Sequence, residues 1–243
     1  GYSSGSSREF SGRGESFVAT GRALYVSFNY RLGPFGYLDF SRYSTPAHRF
    51  ENNLGLRDQL ALLTWVQENI RQFGGDPGNV TIFGESAGGN AVIALLATPA
   101  AEGLFARAIA QSAPPSAMYG PDLTSAWAAD FVDILATATG ASPVDDEATG
   151  DLLAGAAVAD LLAASLVLQT QTPEAYPGRF CLAPVIDGDL LPEHPLTAIR
   201  EGRAHRVPLI IGTNDREGTV FRGRVDILPR SPRRIAAVFD RAP

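Results

Sequence analysis

The chain has no lysine, one cysteine and three histidines among its 243 residues. The absence of lysine excludes a phosphate-binding P-loop, which requires that side chain. Cys181 has no second cysteine to form a disulfide with, so we expect it to be a small buried apolar residue. His48, His194 and His205 are spread along the chain without a cluster of further ligands. The sequence therefore predicts neither a metal site nor a cofactor.

No apolar run approaches the roughly 20 residues that a membrane-spanning helix needs, so we expect no membrane span. The net charge is −6, which argues against a nucleic-acid partner.

The hydrophobic content of 45% supports one α/β domain with a large core. All 20 basic residues are arginine, and together with frequent alanine this usage is typical of a GC-rich bacterial genome. Nothing in the sequence indicates an oligomeric state.

The hydrophobic pattern alternates between strands and helices, which predicts a mostly parallel sheet flanked by helices. The apolar positions of the clearest helix, predicted over Leu56–Phe73, recur at helical spacing on one face. A long alanine-rich segment after the third predicted strand indicates a helical insertion. The predicted strands are Ala23–Asn29, Val80–Phe83, Ala106–Ser112 and Arg206–Thr213, and the predicted helical segments include Tyr119–Leu168 and Ser231–Phe239.

The most informative stretch is VTIFGESAGGNAVIALLAT, which begins at Val80. It places Ser86 in a Gly-x-Ser-x-Gly sequence between an apolar strand and a helix of small residues, the context of a nucleophile elbow. We expect a strained, left-handed backbone at the serine and crowding that requires glycine at Gly84 and Gly88. Ala87 would then present its N–H at the helix N-terminus, where an oxyanion can be stabilised. The alternative is a simple strand-to-helix turn, but the flanking strand and helix favour the catalytic interpretation.

Acidic residues follow the last predicted strand, in the segment NDREG. Because ligand sites in open parallel sheets lie at the carboxyl ends of strands, we expect Asp215 or Glu217 on the same edge of the sheet as Ser86. A hydrolase triad in the order serine, acid, histidine would use one of these two carboxylates. The spacing leaves both candidates open.

Four segments closely resemble the type-B carboxylesterase family, the cholinesterase-like branch of the α/β-hydrolases, and they extend over nearly the whole chain. They read SFNYRLGPFGYL, NLGLRDQLALLTWVQENIRQFGGDPGNVTIFGESAGG, ARAIAQSA and GTNDREGTVF. The resemblance implies a partial α/β-hydrolase fold, with residues 1–243 forming a single, incomplete domain. It also implies hydrolysis of a small-molecule carboxylic ester.

The resemblance also implies roles for individual residues. Ser86 would be the acyl-forming nucleophile and Glu217 the triad acid, with Asp215 as the alternative. Ala87 would supply one oxyanion N–H. The opening GYSSGSS resembles the end of the family's HGGG-type loop, so that Gly1 would be a second oxyanion-hole residue.

Two further residues correspond to polar positions beside the triad in the resembled family. These are Glu85, which precedes the nucleophile, and Ser112, which follows the third predicted strand. The alternative for both is ordinary polar packing. A different position, Arg31, is predicted to be a buried structural ion-pair partner rather than a substrate-binding residue.

The chain departs from the resembled family in two ways. The family's catalytic histidine lies well downstream of the acid, but no histidine follows His205. The strand that leads into the HGGG-type loop is also missing. We therefore expect an internal part of a longer esterase, covering about half of it and inactive alone. The alternative is a non-catalytic interaction protein on the same fold.

Overall fold

The structure is a computed structural model that describes residues 1–9, 14–221 and 229–239. Its three strands are β1 (Thr81–Glu85), β2 (Arg107–Gln111) and β3 (Leu209–Gly212). Its helices are α1 (Glu15–Val18), α2 (Pro34–Tyr37), α3 (Leu54–Asn69), α4 (Ala87–Leu96), α5 (Pro121–Thr139), α6 (Asp146–Gly155), α7 (Val158–Ala175), α8 (Pro195–Arg200) and α9 (Pro232–Phe239). Short 3₁₀ turns cover Ser41–Tyr43, Ile70–Phe73, Pro77–Asn79, Pro99–Ala101 and Glu217–Phe221.

The sheet is parallel throughout, with strand order β1-β2-β3. Ile82 is in register with Ala108, and Ala108 is in register with Leu209. Because parallel neighbours need long crossovers, helical segments separate the three strands along the chain. The prediction of a parallel α/β sheet flanked by helices is confirmed, and the helical insertion follows β2 as α5, α6 and α7.

Helix α4 packs against both β1 and β2 and lies at the centre of one hydrophobic cluster. Eight consecutive residues of α4, Gly89–Leu96, are buried, which explains its nearly continuous run of small and apolar side chains. Leu56, Leu60 and Leu63 of α3 join the same cluster. A second cluster includes residues of α5 and α7, and Cys181 is buried in it, as predicted.

The long helix differs from its predicted bounds at both ends. It begins at Leu54, two residues early, and its regular part ends at Asn69, before a 3₁₀ turn that runs to Phe73. The predicted buried face is confirmed from Leu56 to Ile70, but it is wrong at Phe73, which is 60% exposed. Phe73 instead lies against Trp65, with 5.9 Å between ring centroids, because the 3₁₀ turn changes the helical phase.

The predicted first strand is wrong, because Ala23–Asn29 is irregular and pairs with no strand among the residues that the structure describes. Its contact with β1 is through side chains, and the rings of Tyr25 and Phe83 lie 5.9 Å apart. Within the described residues, β1 is therefore an open edge, and so is β3, whose four residues are all exposed. Val26 and Ile82 therefore do not belong to paired strands.

Arg31 forms its predicted ion pair, with Asp58 of α3. Its Nη2 lies 2.6 Å from one carboxylate oxygen, and its Nε and backbone N–H both donate to the other. Burial raises the pKa of Asp58, but the hydrogen bonds from Arg31 more than offset this, so the net pKa is lowered. The prediction of a buried pair is wrong, because the Arg31 side chain is 47% exposed.

Candidate active site

Ser86 lies at the turn between β1 and α4, as the sequence predicted. Its φ and ψ of 57° and −117° are in a region that side-chain-bearing residues rarely adopt. Its N–H donates to the carbonyl oxygen of Gln111 at 2.9 Å, and its carbonyl accepts from Asn90 N–H at 2.9 Å. Its hydroxyl does not cap the helix, and the residue is exposed. The backbone is therefore fixed while the hydroxyl stays free for chemistry.

The glycine requirement at the elbow is only partly as predicted. A Cβ on Gly84 would lie 2.4 Å from the carbonyl carbon of Gly88, so Gly84 must be glycine. A Cβ on Gly88 would meet no atom within 4 Å, so the prediction of crowding there is wrong. The second crowded position is Gly89, whose Cβ would lie 2.8 Å from the carbonyl oxygen of Gln111. Helix α4 thus touches β1 at Gly88 and β2 at Gly89.

Ala87 is the first residue of α4, directly after Ser86, and is half-buried. The first N–H groups of a helix have no partner within the helix, and they lie at the positive end of its dipole. An oxyanion formed at Ser86 would therefore be close to unused backbone donors. The geometry at Ala87 suits the role that the family resemblance implies for it.

The N-terminal segment reaches the elbow helix through Tyr2. The Tyr2 hydroxyl donates to Oδ1 of Asn90 at 2.6 Å, and the Gly1 carbonyl accepts a weaker bond from Tyr30 at 3.3 Å. Burial, with a smaller effect of Tyr30, raises the pKa of Tyr2 well above its usual value, so this hydroxyl stays protonated as a donor. Gly1 therefore lies directly before Tyr2, the residue that contacts α4.

Asn90 is a site residue that the sequence analysis missed. It is fully buried, and its Nδ2 donates to the carbonyl oxygens of Pro114, at 2.7 Å, and Ala117, at 3.4 Å. One side chain therefore connects the N-terminal segment, the elbow helix and the segment after β2. The available signal was a single amide in the otherwise apolar sequence NAVIALL, since a buried polar group requires partners.

Glu217 lies in the turn after β3, and its hydrogen-bond partners are Asn214 and Ser112, the residue that follows β2. Its Oε1 accepts from the Asn214 N–H at 2.6 Å. This bond, followed by one from the Ser112 side chain, lowers the pKa of Glu217, so it is ionised at neutral pH. Asp215 instead pairs with Arg216 at 3.3 Å, and both of these side chains are at least 84% exposed.

Ser112 connects the elements that bear Ser86 and Glu217. Its N–H donates to Gly212 at the end of β3, and its hydroxyl accepts from Asn214 Nδ2 at 2.9 Å. Its φ of 49° turns the chain sharply after β2. The neighbouring Gln111 accepts from Ser86, so hydrogen bonds run from the elbow to Glu217 through β2.

Glu85, the other predicted polar neighbour, is exposed at the end of β1, and its side chain forms no hydrogen bond or ion pair within the described part of the chain. The three histidines have partners elsewhere. His48 contacts Asp151 at 3.1 Å, His194 accepts from the Leu196 N–H, and His205 contacts the Thr98 carbonyl at 2.8 Å.

Residues 1–9, 14–221 and 229–239 contain no group of three or more His, Cys, Asp or Glu side chains that could coordinate a metal ion. In the same ranges no single helix is long and apolar enough to cross a membrane, although the bent pair of α6 and α7 meets the criteria by length and composition.

The sequence profile of the Carboxylesterase family matches residues 1–234. The chain belongs to this family. It is 43% identical over 208 residues to para-nitrobenzyl esterase of Bacillus subtilis (strain 168), covering 86% of this chain and 40% of that protein. It is 38% identical to bile salt-activated lipase of Bos taurus, covering 86% and 34%, and 34% identical to Neuroligin-2 of Mus musculus, covering 86% and 23%.

A solved thermophilic para-nitrobenzyl esterase superposes on the chain with a TM-score of 0.84 and 39% identity, covering 98% of this chain and 47% of that one. The resemblance and the α/β-hydrolase fold predicted from the sequence are thus confirmed. The chain spans less than half the length of the relatives that it matches.

Proposed function

We propose that this chain is the nucleophile- and acid-bearing part of a longer bacterial serine carboxylesterase, and that residues 1–243 are one incomplete domain of it. The observation that supports this most strongly is the geometry at Ser86, where a strained backbone presents an uncommitted hydroxyl beside unused N–H groups of α4. Strain of this kind costs about 1–3 kcal/mol and persists where it serves a function. Membership of the carboxylesterase family supports the same reaction.

In the proposed reaction the Ser86 hydroxyl oxygen attacks the carbonyl carbon of a carboxylic ester. A histidine from the remainder of the longer chain takes the hydroxyl proton and passes it to the alcohol as the ester bond breaks. Water then attacks the acyl-serine, and the products are a carboxylic acid and the restored serine. No redox partner or cofactor enters this balance.

Glu217 is proposed to orient that histidine and to stabilise its protonated form. Its lowered pKa supports this role, because the acid of a triad must stay ionised. Asp215 is the weaker candidate, because it is bound to Arg216 and points to solvent. Ser112 and Glu85 are proposed as polar neighbours of the triad, and the contacts of Ser112 support that role more strongly.

The oxyanion is proposed to be stabilised by the N–H of Ala87 and by the glycine loop that ends at Gly1. Removing one such donor typically costs about a hundred- to a thousandfold in kcat. The Tyr2–Asn90 hydrogen bond supports this arrangement, because it holds the loop beside α4. Gly1 and Ala87 would then approach the oxyanion from two different segments.

A fluorophosphonate probe tests the proposal on the full-length protein that contains this chain. We expect covalent labelling of Ser86 and loss of both labelling and ester hydrolysis in Ser86→Ala. The control is Ser142→Ala, which changes an exposed serine outside the site and should leave both unchanged. Substantial hydrolysis by Ser86→Ala would defeat the assignment and favour the alternative of a non-catalytic interaction protein.

The 243-residue chain alone is expected to be nearly inactive. In subtilisin, losing the general base lowers kcat by about a millionfold. His48, His194 and His205 form hydrogen bonds to Asp151, Leu196 and Thr98. None of these hydrogen bonds is to Ser86. Rapid turnover by the isolated chain would show that one of them acts as the base.

A further inference from the structure

A cavity of about 590 Å³ lies beside the segment that follows β2, outside the residues assigned to the reaction. The segment on its wall is fixed by the elbow helix, because Asn90 donates to the carbonyl oxygen of Ala117, one residue before the wall begins at Met118. The walls include Met118, Tyr119, Leu123, Arg179, Ile186 and His194. The cavity is therefore large enough for a small organic molecule, and its wall combines apolar and polar side chains.

Arg179 brings a positive charge to this cavity without a matching negative one. Its guanidinium carbon lies 5.6 Å from the ring centroid of Tyr119, as in a cation–π contact. Within the described residues, no carboxylate pairs with it. Arg203, by contrast, binds both Glu193 and Glu201.

His194 adds a second donor on the cavity wall. Its Nδ1 accepts a hydrogen bond from the Leu196 N–H at 3.2 Å, so the proton of the neutral ring is on Nε2. Burial lowers the pKa of His194, so the neutral ring is the form at neutral pH. Among the described residues, Nε2–H has no acceptor.

No Asp or Glu is among the lining residues that the structure describes, so no negative charge on the wall matches the positive charge of Arg179. We propose that this cavity binds a small organic carboxylate, with its oxygens at Arg179 and its apolar body against Met118, Leu123 and Ile186. A guanidinium presents its N–H groups in a fork that matches a carboxylate. The proposal stands apart from the esterase assignment, because it depends on none of the reacting groups.

Calorimetric titration of the full-length protein with benzoate and benzamide tests the charge requirement, since the two probes have nearly the same shape. We expect benzoate to bind at least about tenfold more tightly, which corresponds to one good charge-assisted contact. Arg179→Gln should weaken benzoate binding about tenfold and leave benzamide binding unchanged. His194→Asn, which can still cap α8, should weaken benzoate binding by a smaller factor.

The matched control is Arg42→Gln, because Arg42 also stacks on a tyrosine, with 4.9 Å to the Tyr43 ring, but lies away from the cavity. Its benzoate affinity should equal that of the unchanged protein. Equal affinity for the two probes, or equal losses in both arginine variants, would overturn the proposal. If Arg179→Gln does not fold by circular dichroism, the comparison of probes on the unchanged protein decides. Failure here would not alter Ser86 labelling, so the two proposals fail separately.

Discussion

The backbone N–H of Ser86 donates a 2.9 Å hydrogen bond to the carbonyl oxygen of Gln111, so the tip of the elbow is attached to the neighbouring strand. The next residue, Ser112, is in turn bonded to Asn214, whose N–H binds Glu217. The proposed nucleophile and the proposed acid are thus positioned through the same end of β2.

The elbow glycines should differ sharply in their tolerance of a methyl group. Gly84→Ala should destabilise the protein by about 1–3 kcal/mol, because its Cβ would collide with the backbone of Gly88. Gly88→Ala, the matched control, should be neutral or stabilising by up to about 1 kcal/mol, since it gains helix propensity in open space. Urea unfolding of both variants checks this, and equal losses would contradict the structure.

The two carboxylates after β3 should be separable by kinetics. In the full-length protein, Glu217→Gln should lower kcat for a p-nitrophenyl ester by about 10⁴, as for the acid of a serine protease triad. Asp215→Asn should change kcat by less than about threefold, because its side chain is bound to Arg216 at the surface. The reverse pattern would transfer the role of acid to Asp215.

The ionisation of Glu217 should also affect stability. Its pKa is lowered in the folded state from a reference of 4.5, first by the Asn214 N–H and then by Ser112. The stabilisation is therefore complete above pH 4.5 and is lost as pH falls through the lower folded pKa. The difference in urea midpoint between the unchanged protein and Glu217→Gln should shrink in that range.

Ser112→Ala provides the second measurement for this effect. Because it removes one of the hydrogen bonds that lower the pKa, the Glu217 pKa followed by carboxyl carbon NMR should rise toward 4.5. Ser142→Ala should leave the titration unchanged. A Glu217 pKa that is the same in all three proteins would show that Ser112 does not act on this carboxylate.

The open sheet edges should make the isolated chain aggregate or fold only marginally. Ile210 and Ile211 of β3 are 67% and 59% exposed, and an apolar edge strand can pair with another molecule. Ile210→Lys should therefore reduce light scattering, whereas Val144→Lys, in an 89% exposed loop position, should not. A sharp, reversible, cooperative melt of the isolated chain would contradict this prediction.

The sequence could predict the features that depend on local periodicity. The apolar spacing in α3, the apolar strand before Ser86 and the small-residue helix after it all appear in the structure, because each depends on neighbours within a few turns. The elbow could be predicted for the same reason, because its strand, turn and helix are contiguous in the chain.

The features that depend on distant partners could not be predicted in this way. Ala23–Asn29 has a strand-like composition, but a strand exists only when another strand pairs with it. The packing of α4 against β2 decides which glycine has no room for a side chain. That position is Gly89 and not the predicted Gly88. Asn90 was missed because its partners are up to 88 residues away.

The hydrogen bond between Tyr2 and Asn90 has a consequence for biosynthesis. The two residues are 88 positions apart, so at about 5–20 residues per second the ribosome makes Asn90 roughly 4–18 seconds after Tyr2. During that interval the Tyr2 hydroxyl has no acceptor on α4. The contact between the segment around Tyr2 and α4 therefore forms only after the helix that follows the proposed nucleophile has been synthesised.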